Sequence, residues 1–85
     1  MAQSDYPKKT ASLVVKALKA ERERQKMSML ELSGRAGLAV ATISLVEREL
    51  RNPTLDTLLR ISEVLQVELG SLINEASRKT REARK

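Results

Sequence analysis

Apolar positions along the chain recur with the three-and-four spacing of one face of a helix, and no stretch alternates with the period of two that a strand requires. Leu13, Val14, Ala17 and Leu18 open the pattern and the charged run Glu21 to Lys26 carries it on, which predicts an amphipathic helix over roughly 10–25. Ser28 with Glu31 three residues later is the signature of a capping box. It predicts a short second helix over 29–36, with Leu32 facing inward and Gly37 ending it. A third helix is expected from Val40 to about Arg48, with Ile43 and Val46 spaced toward the core, before Asn52-Pro53 breaks the chain. Thr54, followed by Asp56 and Thr57, reads as an N-cap and first turn, and Leu55, Leu58, Leu59, Ile61, Val64 and Leu65 give a fourth helix a broad apolar face. A fifth begins near Glu68 or Leu69, where Leu69, Leu72 and Ile73 prolong the pattern before the polar, basic stretch 77–85. The expected fold is all-α, five helices with frayed ends. Its expected organisation is a flexible N-terminal tail at 1–9, one folded domain at 10–75 and a basic C-terminal extension at 76–85.

Composition narrows what such a domain can do. At 85 residues, 41% of them apolar, one modest core is possible and a second is not. Tyr6 is the sole aromatic residue, so the core is aliphatic and stacking of bases on aromatic rings is excluded. Cys and His are both absent, which removes disulfides, thiolate nucleophiles, zinc sites and imidazole bases. No catalytic residue, metal or cofactor is expected, and an enzymatic reading finds no support. No apolar run approaches the ~20 residues of a membrane span. The N-terminus lacks the regions of a signal peptide, so a cytoplasmic protein with no membrane partner is expected. The formal charge of +5 is unevenly laid out. Residues 1–27 hold seven basic and three acidic groups, 28–52 three of each, 53–75 one and four, and 76–85 five and one. Basic flanks around an acidic middle suit a polyanion contacted by the ends. They also suit plain solubility.

The second and third helices, joined by a turn containing Gly37, have the layout of a helix-turn-helix. Met27-Ser28 leads into helix 2, followed by Leu32, Arg35-Ala36-Gly37-Leu38, Thr42-Ile43-Ser44, Val46-Glu47-Arg48, Arg51-Asn52-Pro53-Thr54-Leu55 and the closing run 69–73. In that order and spacing, residues 13–73 resemble the phage-repressor or xenobiotic-response-element (XRE) class of helix-turn-helix transcriptional regulators, with its lambda repressor-like DNA-binding domain. The resemblance implies double-stranded DNA as partner, helix 2 lying across the backbone and the N-terminal part of helix 3 entering the major groove. It implies base contacts from Val40, Ala41, Thr42, Ser44 and Leu45, and phosphate contacts from Ser28, Met29, Arg48, Arg51 and Asn52. Arg22 and Glu47 match a family pair that forms a buried salt bridge between helix 1 and the end of helix 3.

At the recognition surface the chain departs from the family pattern. The family usually has polar residues at the positions of Val40, Ala41 and Leu45, and a phosphate-binding Gln at that of Met29. Bidentate readout of guanine needs Arg or Lys, and of adenine Asn or Gln. Thr42 and Ser44 alone remain as polar candidates. Three readings stay open. In one, Ala39, Val40 and Ala41 touch thymine methyl groups and Thr42 adds a hydrogen bond, while Arg48, Arg51 and Asn52 hold phosphates, so that specificity leans on apolar contact and DNA shape. In another, Val40, Leu45 and Met29 form a docking patch for a protein partner, as in an antitoxin- or adaptor-like module. In the third, a slight rotation of helix 3 buries some of them.

Glu49 stands where the family often has glycine, and a left-handed conformation there costs a non-Gly residue ~1 kcal/mol. The loop is therefore expected to turn differently. Because one domain reads only a half-site, a homodimer on a near-palindromic operator is expected. Val67, Leu69, Leu72 and Ile73 are the candidate dimer interface; the same four also serve as a cap on the monomer core. Arg78, Lys79, Arg81, Arg84 and Lys85 at one end, and Lys8 and Lys9 at the other, are candidates for sequence-independent phosphate contact, each adding ~0.9 to the salt dependence. The whole reads as a small homodimeric transcriptional regulator of the phage-repressor type, without a ligand domain.

Overall fold

The computed structural model describes residues 4–83. Among them the chain forms five α-helices and no strand: α1 Tyr6–Arg24, α2 Met29–Ala36, α3 Val40–Glu47, α4 Leu55–Leu65 and α5 Leu69–Glu82. Leu32, Ile43 and Leu65 sit at the centre of an aliphatic core completed by Val14, Leu18, Met27, Ile61, Leu69 and Ala76. Helix α1 packs chiefly against α5, and α2 packs against both α3 and α4. Among the described residues no single helix is long and apolar enough to cross a membrane.

The helix starts follow the side-chain caps legible in the sequence. Ser28 Oγ accepts the Glu31 N–H at 2.9 Å, and Thr54 Oγ1 accepts the Thr57 N–H at 3.1 Å. Only half of the capping box forms, because the Glu31 carboxylate pairs with Arg35 at 2.9 Å instead of returning to Ser28. Helix α3 begins at Ala39 with no side-chain cap.

Four helix ends share one closure. Lys26, Gly37, Glu49 and Gln66 all adopt the left-handed conformation. The next N–H then reaches back to the carbonyl five residues earlier: Met27 to Arg22 (3.1 Å), Leu38 to Ser33 (2.9 Å), Leu50 to Leu45 (2.9 Å) and Val67 to Ser62 (3.0 Å). Glycine removes the steric cost at one of them only. The expectation that Glu49 would divert its loop is overturned, since its φ of 59° is the one a glycine would take. Its N–H bonds the Val46 carbonyl at 2.9 Å and, with the Leu50 bond, gives the last carbonyls of α3 partners that outweigh a penalty of ~1 kcal/mol.

Two further expectations are corrected. Leu55 and Leu59 point outward from α4, 63% and 51% exposed, so its apolar stripe narrows to Leu58, Ile61, Val64 and Leu65. Thr57 and Ser62 fill the buried positions beside that stripe. The chain ends, expected to fray, instead hold each other: α1 starts within the stretch 1–9 read as a tail, with Pro7 in its first turn, and α5 runs to Glu82. Tyr6 Oη and Ser77 Oγ lie 2.6 Å apart, the buried Thr10 hydroxyl donates to Thr80 Oγ1 at 3.1 Å, and the Arg81 guanidinium stacks 4.7 Å above the Tyr6 ring. Arg84 and Lys85 lie outside the described residues.

Candidate nucleic-acid interface

Between α2 and α3 the chain turns by 118°, the crossing a helix-turn-helix requires. The turn depends on Gly37, where a Cβ would meet Arg60 Nη1 at 3.3 Å in a backbone conformation that already disfavours side chains. Arg60, which sequence reading passed over, pairs with Asp56 at 2.7 Å and leans its guanidinium toward the Ala36 carbonyl at 3.4 Å, linking α4 to the turn. A lone Arg on an exposed helix face gives no sequence signal of that.

Beneath the turn, α3 is clamped at its C-terminal end. Arg22 donates from Nε to Glu47 Oε2 at 2.7 Å and from Nη2 to Glu47 Oε1 at 2.9 Å, while its Nη1 donates to the Met27 carbonyl at 2.7 Å. The two side chains are 10% and 8% exposed, so the pair is nearly dry. The hydrogen bonds that Arg22 donates to Glu47 hold its guanidinium above its ordinary pKa against the opposing effect of burial. Among the described residues no buried side-chain nitrogen or oxygen lacks a partner. Such a pair is a joint, not a DNA ligand.

The eight residues of α3 divide cleanly. Ile43 and Val46 are buried, whereas Val40, 43% exposed, and Ala41 form an open first turn. Ser44 and Leu45 follow one turn later on the same side, half-buried, as is Thr42. Rotation into the core therefore does not account for Val40 or Ala41. Met29, half-buried against the core, stands on α2, so its burial owes nothing to a rotation of α3. A thioether donates no hydrogen bond, so what Met29 has for a phosphate is its backbone N–H at the first position of α2, which lacks an intrahelical partner. Ser28, exposed beside it, has its Oγ engaged as the cap. Arg48 and Arg51 are exposed, make no ion pair among the described residues, and stand with Asn52 on the turn after α3.

The four residues read as a dimer interface differ in exposure. Leu69 is in the core, Val67 and Leu72 are half-buried against it, and Ile73 is exposed beside a groove that Tyr6, Thr10 and Leu58 also line. Apolarity marked all four, but it does not say which of them the monomer itself covers. Of the tail cations, Arg78 is bonded to Glu75 and Glu82 and Arg81 to the Tyr6 ring.

Comparison with known proteins agrees with this geometry. The helix-turn-helix family model HTH_3 matches residues 18–72. An uncharacterized HTH-type transcriptional regulator of Sinorhizobium fredii (strain NBRC 101917 / NGR234), y4dL, is 41% identical over 56 residues, 66% of this chain and 29% of that protein. The HTH-type transcriptional regulator SinR of Bacillus licheniformis is 34% identical over 64 residues, 74% of this chain and 58% of that protein. The chain thus spans less than two thirds of either relative. A crystal structure of SinR, the master regulator for biofilm formation, in complex with DNA aligns with a TM-score of 0.65 and 33% identity, covering 71% of this chain and 97% of that one. With the turn, the clamp and all of the motif series but its last residue falling inside the matched segment, the chain belongs to the helix-turn-helix family of transcriptional regulators.

Proposed function

We propose that the protein is a DNA-binding regulator of transcription, of the repressor type, that acts in the cytoplasm as a homodimer on a near-palindromic operator, with the first turn of α3 in the major groove. The observation that supports this most is the division of α3: Val40 and Ala41 stand open at one end while the Arg22–Glu47 pair immobilises the other. Val40, Ala41 and Leu45 suit thymine methyl groups, and the Thr42 and Ser44 hydroxyls suit base-edge donors and acceptors. The free N–H groups at the start of α2, beside Ser28 and at Met29, suit phosphates on one side. Arg48, Arg51 and Asn52 suit them on the other. That the similar SinR has been crystallised in complex with DNA supports the same partner here. The dimer contact falls to Val67, Leu72 and Ile73, with Leu69 supporting them from the core. A second reading, a protein partner on α3, is favoured by one observation: the exposed Val40 and the half-buried Leu45 bring no amide or guanidinium to the surface.

Selection of bound duplexes from a random library, followed by salt titration of the best sequence against scrambled DNA, tests both. The expected result is an enriched palindrome with half-site centres about ten base pairs apart, bound at least ~1,000-fold more tightly than scrambled DNA. Absence of any motif, with all binding lost as salt rises, would overturn the operator reading and assign the α3 surface to a protein.

A further inference from the structure

Sorting the cations by partner separates two sets. Arg22, Arg24, Arg35, Arg60 and Arg78 are bonded to carboxylates. Lys8, Lys9, Lys16, Lys19, Lys26, Arg48, Arg51 and Arg81 have no carboxylate within ion-pair distance among the described residues, and Lys79 approaches Glu75 only at 3.9 Å. Of these, Lys8, Lys9, Lys16, Arg51 and Lys79 are neighbours. Lys8 and Arg51 line one groove of about 480 Å³, which lies between the first turns of α1 and the loop after α3 and has Val15 and Val46 in its wall. Lys8 also lines a second groove of about 510 Å³ between α1 and α5, together with Lys9, Lys16 and Lys79. The result is one strip, Arg51, Lys8, Lys9, Lys16, Lys79, that starts at the loop assigned to operator phosphates and continues onto the α1–α5 pair. Asp5 and Glu49 share these grooves, two negative charges against five positive.

Four of the five cations lie outside the segment 18–72 that the family model matches. The strip is therefore a feature of the helix extensions of this chain. Those extensions are held in place: the Tyr6–Ser77 and Thr10–Thr80 hydrogen bonds fix the first turns of α1 to the last turns of α5. A row of cations, three of them lysines with no carboxylate partner among the described residues, on a rigid pair of helices and continuous with the loop assigned to phosphates, matches a polyanion of regular charge spacing.

We propose that this strip binds backbone phosphates of the duplex that flanks the operator half-site, so that the protein grips DNA beyond the base pairs α3 reads. The proposal rests on the DNA-binding reading above and extends it. Such contacts carry no base specificity. They lengthen the bound duplex and steepen the salt dependence.

The test uses the whole chain and two duplexes with the same selected operator, one ending at the outermost selected base pair and one extended by about ten base pairs on each side. Wild type, the triple variant Lys8→Gln/Lys9→Gln/Lys16→Gln, and the control Lys19→Gln/Lys26→Gln, whose exposed lysines lie off the strip, are titrated with each duplex over a range of salt. The expected result is that wild type binds the extended duplex at least ~10-fold more tightly. The triple variant loses that gain and its salt slope falls by roughly 2 to 3 on the extended duplex alone, at ~0.9 per phosphate contact, while the control behaves as wild type. Thermal melts are expected to coincide for all three proteins, since none of these lysines is ion-paired. If wild type selects an operator but the triple variant leaves the extended-duplex slope unchanged, the strip is not a DNA contact and an acidic protein segment takes its place as the occupant; if it lowers both duplexes equally, the lysines touch the operator itself, and either result overturns the flanking contact. If wild type selects no operator, the regulator reading fails together with this one.

Discussion

On α3 the inner side chains, Ile43 and Val46, are enclosed by the core and the helix is tied at its end through Glu47, whereas Val40, Ala41, Ser44 and Leu45 meet no partner that dictates their chemistry. The two faces are only the width of one helix apart, about 10–12 Å, yet substitutions on them have different consequences. Changing the inner face alters stability. Changing the outer one alters only what the helix can touch. The lesson is that one short helix can keep its fold-determining residues on one register and leave another open to solvent, so that either set can vary alone.

The largest effect is expected at the clamp. Arg22→Ala or Glu47→Ala strands a nearly dry charge and costs ~3–5 kcal/mol, much of the 5–15 kcal/mol typical of a domain. Urea denaturation is expected to show the single variants largely unfolded near room temperature, and the paired change Arg22→Met/Glu47→Leu to recover most of the loss. A cost under ~1 kcal/mol for the single changes would mean that water reaches the pair. Next, Ile43→Ala is expected to cost ~2–5 kcal/mol, while Val40→Ala stays within about 0.5 kcal/mol of wild type. The selected operator, measured by fluorescence anisotropy, reverses that order: Val40→Ala loses roughly 10-fold in affinity, at a few methyl contacts per half-site, with scrambled DNA unaffected. Equal losses on both DNAs would remove Val40 from base readout.

Smaller and opposite in sign is Glu49→Gly at the end of the same helix. Relief of the left-handed side chain is expected to stabilise by about 1 kcal/mol and to raise Tm by about 4–8 °C, with Gln66→Gly behaving alike. The smallest effect concerns acid. Glu21 accepts hydrogen bonds from Arg24 and, at 2.7 Å, from Gln25, whose amide also donates to the Leu65 carbonyl at 2.8 Å. These bonds lower its pKa from 4.5 to about 2. A carboxyl depressed on folding stabilises above its unfolded pKa, and the contribution fades as pH falls from about 4.5 to about 2. Acid titration of Glu21→Gln, followed by circular dichroism, is expected to lack that one component.

Much of the fold was legible because short-range chemistry decides it. Ser28 and Thr54 announce their helices by the bonds they make three residues on, Gly37 marks the turn, and the core positions of α2 and α3 follow the helical period. Arg22 and Glu47 were readable only through the family motif, since 25 residues separate them. What escaped depends on distant partners. Lys8 and Lys9 read as a tail because the residue that makes this stretch a helix, Thr80, lies 70 positions from Thr10. Leu55 and Leu59 read as core because periodicity counts apolar residues without knowing how wide a face the neighbours cover. Glu49 read as unsuited to a left-handed turn because propensity ignores the carbonyls waiting to be bonded. At the site, sequence named the turn after α3 and the open face of α3. Whether a cation is free or already paired could not be read, because that is set by side chains brought together only on folding.

The three bonds of the Arg22 guanidinium, to both Glu47 oxygens and to the Met27 carbonyl, have a dynamic consequence. The last turn of α1, the segment leading into α2 and the end of α3 share one fastening, so their amides exchange with solvent through a single opening event and not one helix at a time. Helix α3 is accordingly held in place by the chain itself. A partner that docks on it is expected to meet a preformed surface, with a heat-capacity change that reports the interface buried and carries no component from helix formation.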